Sequence, residues 1–374
     1  MRVCVVGAGL AGSLLAWRLA ATMPANAVEL ITGTHGAVDA TAASGGAVRV
    51  YETHPVQRQL ALASLRELTD SPVLRRWSGF RPAEFIYLQA GGVEVASAVA
   101  EVEEAWPGAV EPLSRDQLHP LGFAELPAEA VAVRERRSGY LSPTRWREAL
   151  LADAVACGAR VVAGRLTGVR CPENGPVVCQ INGQPREYDQ VVLATGGWTG
   201  ALLAACGLPA SGYRTKSIQY TVYRTGSWRP EAFADEFTGL YGRPDPDGLL
   251  LGLATDQWDV PPERPPVTPS LHQRARHLAQ QRFPRLRIGA PVRTVGAVDC
   301  YCADPVLSLR PVPDTGQRLF TFTGGAGGAV KTALAASQLA AHHLSRSGST
   351  PGQVAEALGD RANPLPVGPQ RGLS

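Results

Sequence analysis

The hydrophobic pattern at the start of the chain predicts a strand, a helix and a second strand. Residues 2–6, which are apolar after Arg2, are typical of a short buried parallel strand. A segment that mixes apolar and polar positions follows and predicts a helix, and residues 28–31, apolar except for Glu29, predict the next strand. The three segments together predict a βαβ unit.

The motif GAGLAG joins the first strand to the helix, and its glycines have the spacing GxGxxG. Gly7 permits the tight turn, Gly9 lets a pyrophosphate approach the backbone, and Gly12 lets helix and strand pack closely. The start of the helix then points free N–H groups at the phosphate. This context predicts dinucleotide binding, and a glycine-rich turn in an ordinary α/β domain is the alternative.

The second strand ends without the acidic residue that usually binds the adenosine ribose. Thr32 stands at that place, and a hydroxyl binds another hydroxyl more weakly than a carboxylate does. Glu29 lies inside the strand and is a poor substitute. We therefore expect weaker cofactor binding or a ribose contact from a neighbouring residue.

The rest of the chain continues with strands and helices. A helix that begins after the N-cap Ser142 precedes strands at residues 160–163 and from about Leu166. Residues 189–193 predict a strand that ends in Ala-Thr-Gly before an apolar helix. Further on, PDPDG at residues 244–248 predicts a hairpin turn.

Composition excludes several classes of protein. The 374 residues are 45% hydrophobic and 18% charged, with a net charge of +3, which indicates neither a nucleic-acid surface nor a membrane surface. No apolar run reaches the roughly 18 residues of a membrane helix, and no signal segment precedes the first strand. Seven cysteines without a CxxC pair favour a reducing cytoplasm over a disulfide framework or a metal site.

Five motifs follow one another along the chain: GAGLAG, SGGAVRVY at 44–51, LATGGW at 193–198, GLLLG at 248–252 and TGGAGGAVK at 323–331. The resemblance that they carry is to the D-amino-acid oxidase family of FAD enzymes, and in particular to monomeric sarcosine oxidase and glycine oxidase. It implies an α/β (α+β) fold, in which a Rossmann-type two-dinucleotide-binding FAD domain carries an inserted antiparallel-sheet substrate domain. The FAD domain would comprise residues 1–75, 140–205 and 290–345, the substrate domain 76–139 and 206–289, and a flexible tail 346–374.

The resemblance also implies which residues contact FAD, which we expect to be bound non-covalently. These residues are Gly7, Gly9, Leu10, Ala11, Gly12, Thr32, Ser44, Gly45, Gly46, Ala47, Arg49, Leu166, Thr195, Gly196, Trp198, Gly325, Ala326, Gly327, Gly328, Ala329 and Lys331.

Lys331 is one of only two lysines in a chain that otherwise uses arginine. In sarcosine oxidase relatives a lysine at this place binds the substrate carboxylate, and a compact ammonium fits where a planar guanidinium would clash. The alternative is a lysine that points to solvent at the start of a helix, although a cation is disfavoured there.

Arg49 matches a family arginine that reaches the face of the flavin, and with Lys331 it is a candidate catalytic residue. The family's second arginine, three residues further on, is replaced by Glu52. The carboxylate clamp is therefore half missing, which predicts a substrate with a different anion or with a free amine.

Leu250 is the most informative departure from the family pattern. Relatives read GLKLG here, and their lysine promotes electron transfer from reduced flavin to oxygen because a buried cation stabilises the developing negative charge. Leu250 leaves open whether oxygen or another molecule is the electron acceptor.

Cys300 and Cys302 lie in a segment that resembles the one through which sarcosine oxidases bind flavin covalently. The equivalent position is Asp299, so the cysteine register is off by one, and buried structural thiols are favoured over a covalent link. Four further residues are candidates for lining the substrate pocket: Tyr51, His54, Tyr220 and Tyr241.

The expected function is FAD-dependent oxidation of an amine or amino acid, from C–N to C=N, by hydride transfer to the flavin. Oxygen is the expected acceptor, and a role in a specialised biosynthetic pathway is compatible with the sequence. The alternatives are a dehydrogenase or monooxygenase-like flavoenzyme and a flavin-binding subunit of a larger complex. The expected partners are the small-molecule substrate and the electron acceptor, with no nucleic acid and no membrane, and the sequence leaves the oligomeric state open.

Overall fold

The computed structural model of the chain describes residues 1–33, 39–325 and 327–345. Ala326 and the tail segment 346–374 lie outside these ranges. The described strands are β1 (Val3–Val6), β2 (Val28–Thr32), β3 (Ala47–Val48), β4 (Arg81–Pro82), β5 (Phe85–Ala90), β6 (Val110–Leu113), β7 (Ala130–Glu135), β8 (Gly139–Tyr140), β9 (Arg160–Ala163), β10 (Leu166–Arg170), β11 (Val177–Ile181), β12 (Gln184–Tyr188), β13 (Gln190–Leu193), β14 (Tyr213–Thr225), β15 (Ala232–Asp235), β16 (Leu240–Asp245), β17 (Gly248–Leu253), β18 (Ile288–Cys302), β19 (Ser308–Pro311) and β20 (Leu319–Thr323).

The described helices are α1 (Leu10–Thr22), α2 (Ala40–Ala43), α3 (Pro55–Asp70), α4 (Pro72–Ser78), α5 (Val93–Ala105), α6 (Arg115–Leu118), α7 (Pro143–Ala156), α8 (Thr199–Ala205), α9 (Pro269–Arg282) and α10 (Ala333–Ser345). Two short 3₁₀ turns precede α8 and α10, at Gly196–Trp198 and Ala329–Lys331. Within these residues no helix is long and apolar enough to cross a membrane.

The nucleotide-type part of the fold is a six-stranded sheet with the order β19-β20-β13-β1-β2-β9. Its five strands β20, β13, β1, β2 and β9 are parallel, and only the edge strand β19 is antiparallel. Strand β1 is buried along its whole length because α1, α7 and α10 cover one face and the small sheet β10-β11-β12 covers the other. The predicted βαβ unit is therefore present.

A second sheet has eight strands in the order β18-β14-β17-β16-β15-β5-β7-β6. It is antiparallel except for the pairing of β15 with β5. One face carries an apolar cluster, including Phe233, Leu249 and Leu251, and packs against α9 and the Phe283 that follows it. The alternation of side chains along each strand sends the intervening residues to the opposite face, which carries the polar and aromatic residues considered below.

The mixed α/β architecture with its separate antiparallel sheet confirms the expected fold class. The predicted division into domains stays a prediction. Strand β18 pairs with β14 from Tyr213–Cys302 at one end to Thr225–Ile288 at the other, so residues 288–302 belong to the eight-stranded sheet.

Candidate active site

The carboxyl ends of four neighbouring parallel strands bring the glycine-rich segments to one edge of the sheet. Gly7 follows β1, Ala194 follows β13 and Gly324 follows β20, while Thr32 ends β2. In open α/β sheets this edge is where ligands bind. Segments that are far apart in sequence thus form one continuous rim.

Two glycines of GAGLAG are required by close backbone contacts. A Cβ on Gly7 would lie 2.4 Å from the carbonyl oxygen of Ala194, and a Cβ on Gly12 would lie 2.0 Å from the carbonyl oxygen of Gly7. Gly9 is different because the nearest atom to its Cβ position is the Oγ1 of Thr41, at 3.3 Å. The turn is therefore closed towards the sheet, and at Gly9 it is open except for the close Thr41 hydroxyl.

Helix α1 begins at Leu10, directly after this opening, and Gly9 supplies no side-chain cap. The Leu10 N–H donates to the Thr41 hydroxyl at 2.9 Å. The first backbone hydrogen bond of the helix runs from the Ser13 N–H to the Gly9 carbonyl, so the N–H groups of residues 11 and 12 come before it. Free N–H groups and the positive end of the helix dipole form an anion site. Thr41 belongs to this site, and the sequence analysis missed it because no motif marks it.

At the expected ribose position, Glu29 is a poor substitute for the missing acid, as the sequence predicts. The Glu29 carboxylate is committed to an ion pair with Arg186 and to a hydrogen bond from the Tyr188 hydroxyl at 3.0 Å. It therefore cannot replace the missing acid at the end of β2. Thr32 is half-buried at that strand end, and its contact with a ribose stays a prediction.

The SGG segment crosses from α2 to β3. The Ser44 hydroxyl accepts a hydrogen bond from the Gly46 N–H at 3.1 Å, and the Gly45 carbonyl accepts one from Nε of Arg243 at 2.6 Å. A Cβ on Gly46 would lie 2.0 Å from the Leu141 carbonyl oxygen. The segment is thereby held against the eight-stranded sheet.

A network of four charged side chains lies beyond this segment, at the junction of the two sheets. Lys331 Nζ is 2.6 Å from Glu52 Oε1, and the same oxygen is 2.9 Å from Nη2 of Arg49. Nη1 of Arg49 is 3.5 Å from Oε1 of Glu135. We call these four residues the charged network.

Burial and pairing set the ionisation of the charged network. Burial raises the pKa of Glu135 to about 6, although Arg49 and two backbone N–H groups oppose the shift. Burial acts in the same direction on Glu52, but Arg49 and Lys331 outweigh it and lower the pKa of Glu52. Burial lowers the pKa of Lys331, and Glu52 opposes that shift. The network therefore holds Glu52 as a carboxylate between two cations.

Arg49 is fixed by contacts on every side. Its guanidinium lies over the rings of Tyr87 at 4.4 Å and Phe85 at 5.4 Å, and it donates to the Tyr51 carbonyl oxygen. Desolvated contacts of this kind stabilise a cation on an aromatic face. The predicted contact of Arg49 with a flavin stays a prediction.

The alternative of a solvent-pointing Lys331 does not fit the structure. Its side chain is 13% exposed, in the 3₁₀ turn before α10, and its ammonium faces the charged network. The predicted contact of Lys331 with a substrate carboxylate stays a prediction. The structure shows that the protein itself places a carboxylate, that of Glu52, beside the Lys331 ammonium.

The four predicted pocket residues have different surroundings. The Tyr51 ring is fully buried beside Tyr87, and its hydroxyl accepts from Gln89 at 2.6 Å. His54 caps α3 by accepting from the Gln57 N–H. Tyr220 and Tyr241 lie on the inner face of the eight-stranded sheet, in register with Gly252 between them.

Gly252 makes room for the Tyr241 ring, because a Cβ at this position would lie 2.1 Å from that ring. Burial raises the pKa of Tyr241, so its hydroxyl stays protonated and donates to the Gln219 carbonyl oxygen at 3.2 Å. The second glycine of GLLLG is thus explained by packing.

Arg243 is a candidate that the sequence analysis missed. It lies directly opposite Leu250 in the β16–β17 hairpin, on the same face as Tyr220 and Tyr241. Burial lowers the pKa of its guanidinium, and Asp245, 3.6 Å away, opposes the shift. The predicted turn at 244–248 would have paired Arg243 with Leu249, whereas the observed two-residue connection at 246–247 pairs it with Leu250.

Asp299 and Tyr301 lie on the same inner face, on β18. A Cβ on Gly327 would lie 2.8 Å from the Tyr301 hydroxyl and 3.8 Å from Oδ2 of Asp299, so both reach the glycine turn before Lys331. Burial alone raises the pKa of Asp299 to about 6, and within the described residues its carboxylate has no ion pair or side-chain hydrogen bond. Its cross-strand neighbour Lys216 directs its ammonium over the Trp258 ring instead.

The remaining predicted contacts are distributed along the same rim, with one exception. Thr195 shares a hydroxyl hydrogen bond with Thr199 at 2.8 Å, and the Cβ position of Gly196 faces open space. Leu166 begins β10, where its side chain is buried in the core beneath the small sheet. All of these cofactor contacts stay predictions, and Ala326 lies outside the described residues.

The fold and the rim define a class of protein: a dinucleotide-binding protein with a charged, partly aromatic site between its two sheets. The chain belongs to the D-amino-acid oxidase (DAO) family, described as FAD dependent oxidoreductase, whose profile matches residues 2–343. It is therefore an FAD-dependent oxidoreductase. No curated protein matches the sequence.

Solved structures share this fold at low sequence identity. Glycine oxidase from Geobacillus kaustophilus is 20% identical, with a TM-score of 0.73, and the match covers 93% of this chain and 95% of that one. Iminodiacetate oxidase from Chelativorans sp. BNC1 is 19% identical, with a TM-score of 0.70 and coverage of 94% and 97%. A Tyr258Phe mutant of NikD, an unusual amino acid oxidase essential for nikkomycin biosynthesis, is 20% identical, with a TM-score of 0.73 and coverage of 93% and 94%.

The described residues fit FAD. The open approach at Gly9, the unpaired N–H groups at the start of α1 and the free space beside Gly196 suit a pyrophosphate and the chain that leads from it. When bound, FAD supplies the acceptor for a hydride, which no side chain of the protein can provide.

Proposed function

We propose that this enzyme oxidises the C–N bond of an amine or amino acid to C=N, with oxygen as the electron acceptor. The observation that carries the proposal is the charged network at the junction of the sheets, beside an inner sheet face with Tyr220, Tyr241 and Tyr301. Paired charges and ring faces can hold a polar nitrogen compound and exclude water around it.

The names of the similar structures support this reaction type. Glycine oxidase, iminodiacetate oxidase and the amino acid oxidase NikD are all named for substrates that contain a C–N bond. Because each is at most 20% identical to this chain, the likeness establishes the fold, and the substrate belongs to the proposal.

Within this reaction the protein orients the substrate and stabilises charge. Arg49, held by Glu52, Glu135 and Tyr87, supplies a fixed positive charge near the site. A neutral amine needs no side-chain base to give up a hydride, so the network has a positioning and electrostatic role. The seven free thiols support the prediction of a reducing, cytoplasmic environment.

The test is anaerobic mixing of the purified yellow holoenzyme with a panel of amines and amino acids. Bleaching of the flavin absorption by at least one compound, with the imine or its hydrolysis product formed in equal amount, is the expected result. A holoenzyme that no amine or amino acid reduces, but that another class of donor does, would contradict the proposal.

A dehydrogenase is the second candidate, because the apolar Leu250 stands where oxidase relatives carry a lysine. Arg243 favours the oxidase, since it places a buried guanidinium directly opposite Leu250 and in contact with the SGG segment. Rapid mixing of reduced enzyme with oxygen, and separately with an electron-accepting dye, distinguishes the two. Reoxidation by the dye alone would favour the dehydrogenase.

A further inference from the structure

The charged network is electrically balanced before any substrate enters. It contains two cations, Arg49 and Lys331, and two carboxylates, Glu52 and Glu135, and each cation has a carboxylate within 2.9 Å. The side chains are between 0% and 13% exposed, so water screens these charges weakly. Neither cation is left in need of an anion from a ligand.

Glu52 also occupies the place where an anionic ligand would have to bind. Its Oε1 is shared by Lys331 and Arg49, so a ligand carboxylate that approached either cation would meet the Glu52 carboxylate within a few ångströms. Like charges at such distances in a weakly screened site repel each other strongly. The surroundings of Arg49 and Lys331 therefore disfavour a ligand carboxylate and favour a neutral or positively charged nitrogen.

The inner face of the eight-stranded sheet also favours a cation over an anion. Asp299 is a half-buried carboxylate that has no ion pair within the described residues, and it reaches the glycine turn beside the Tyr301 hydroxyl. The only lysine next to it in the sheet, Lys216, turns towards Trp258. Aromatic faces and an unpaired carboxylate attract a cation to this end of the face. The cation elsewhere on the face, Arg243, has the Asp245 carboxylate 3.6 Å away.

We propose that the substrate is an amine without a carboxylate beside its nitrogen, and that Glu52 determines this selectivity. The proposal rests on the proposed C–N oxidation and narrows its substrate from amine or amino acid to amine. Arg49 and Lys331 hold Glu52 in place in its ionised form, and Glu52 keeps amino acids out.

The test compares two ligands that share the same apolar group and carry opposite charges. The cation of tert-butylamine and the anion pivalate differ in the group attached to the same three-methyl carbon, and neither has a C–H bond next to the group that an oxidase could break. Their binding to the holoenzyme at pH 7.5 is measured by the perturbation of the flavin absorption spectrum. No turnover is needed.

Wild-type enzyme is expected to bind tert-butylamine at least about tenfold more tightly than pivalate, as for one charge-assisted contact. Glu52→Gln removes the negative charge from between two cations, so the affinity for pivalate should rise about tenfold to a hundredfold. The preference for tert-butylamine should then disappear or reverse. Glu67→Gln is the matched control, because Glu67 is paired with Arg18 outside the charged network and the same charge is lost. This control should keep the wild-type preference.

Three results would overturn the proposal. They are tighter binding of pivalate than of tert-butylamine to wild type, an unchanged preference in Glu52→Gln, and no perturbation by tert-butylamine. Should Glu52→Gln fail to retain FAD, Glu52→Asp keeps the charge and must keep the preference for the amine. Because these ligands are not oxidised, a failure of the proposed reaction appears separately, as an absence of flavin bleaching by every amine and amino acid.

Discussion

The ammonium of Lys331 and the carboxylate of Glu52 form an ion pair of 2.6 Å in a part of the protein that water barely reaches. Arg49 approaches the same carboxylate oxygen to 2.9 Å. One side chain that departs from the family pattern, Glu52, therefore binds both cations that the sequence analysis assigned to flavin or substrate.

The first prediction follows from this pair. Lys331→Met should lower the free energy of unfolding, since it removes a charge-assisted contact and leaves Glu52 with Arg49 alone. In a double-mutant cycle with Glu52→Gln, the coupling energy should be about 1.5–3 kcal/mol. Guanidinium unfolding of the four holoenzymes measures it, and strictly additive changes would contradict the coupling.

The same variant tests the sequence-based prediction for Lys331. If Lys331 binds a substrate carboxylate, Lys331→Met should raise the dissociation constant of an amino acid about tenfold to a hundredfold. The dissociation constant of the decarboxylated amine should then stay unchanged. The charge balance of the network predicts no such selective loss. Titration of one amino acid and its decarboxylated counterpart into both proteins separates the two roles.

Sequence predicted the nucleotide-type part of the fold well because its signals are local. The apolar run of β1, the glycine spacing and the start of α1 follow one another within about twenty residues, and their geometry is imposed by backbone contacts such as that of Gly12 with Gly7. The hairpin was predicted for the same reason, although its turn is shorter than the predicted 244–248, since β16 ends at Asp245 and β17 begins at Gly248.

The site was less predictable because its contacts are distant in sequence. Glu135 meets Arg49 only through the packing of β7 against the segment after β3, and nothing near Glu135 marks it. Glu52 was noticed as a departure, but its pairing with Lys331 depends on the meeting of segments about 280 residues apart. Arg243 was missed because its pairing with Leu250 depends on a turn of two residues, and no local signal marks Thr41 or Glu135.

A second prediction separates two glycines of GAGLAG. Gly9→Val should fold but lose FAD, because its side chain would grow into the opening at the start of α1, where only Thr41 is close. Gly12→Ala should instead destabilise the protein, since its Cβ would overlap the Gly7 carbonyl. Thermal unfolding and the FAD content of the purified variants distinguish the outcomes. Full FAD content in Gly9→Val would count against the phosphate site.

A third prediction concerns the attachment of FAD. Burial raises the pKa of Cys300 to about 12, so this thiol is almost entirely protonated at neutral pH and is a poor nucleophile. Burial raises the pKa of Cys302 as well. Acid precipitation should therefore release the yellow colour into the supernatant. A yellow pellet that becomes colourless in Cys300→Ser would show a covalent link.

A fourth prediction uses the pKa of Asp299, which burial raises from 3.8 to about 6. The folded protein binds this proton more tightly than the unfolded chain does, so the stability contribution of Asp299 falls as pH rises from about 4 to 6 and is constant above. Asp299→Asn removes the buried charge. It should raise the free energy of unfolding by about 1–3 kcal/mol at pH 7.5 and by little at pH 4. Guanidinium unfolding of both holoenzymes across this range provides the measurement, and a difference that does not change with pH would contradict the prediction.

The last prediction places the oxygen reaction on Arg243. Its guanidinium lies opposite Leu250 and donates to the Gly45 carbonyl, so it can stabilise the negative charge that develops when oxygen accepts electrons. Arg243→Leu should slow reoxidation of the reduced enzyme by oxygen about tenfold to a hundredfold, in proportion to the loss of one such charge contact.

Leu250→Lys alone sets two cations directly opposite each other in the hairpin, so it should lower the melting temperature. The double variant Arg243→Leu/Leu250→Lys returns a single cation to the same face, and it should recover both the melting temperature and most of the oxygen reactivity. Stopped-flow absorbance of the reduced variants mixed with oxygen gives the rates; an Arg243→Leu enzyme that reoxidises as fast as wild type would assign the oxygen reaction to another residue.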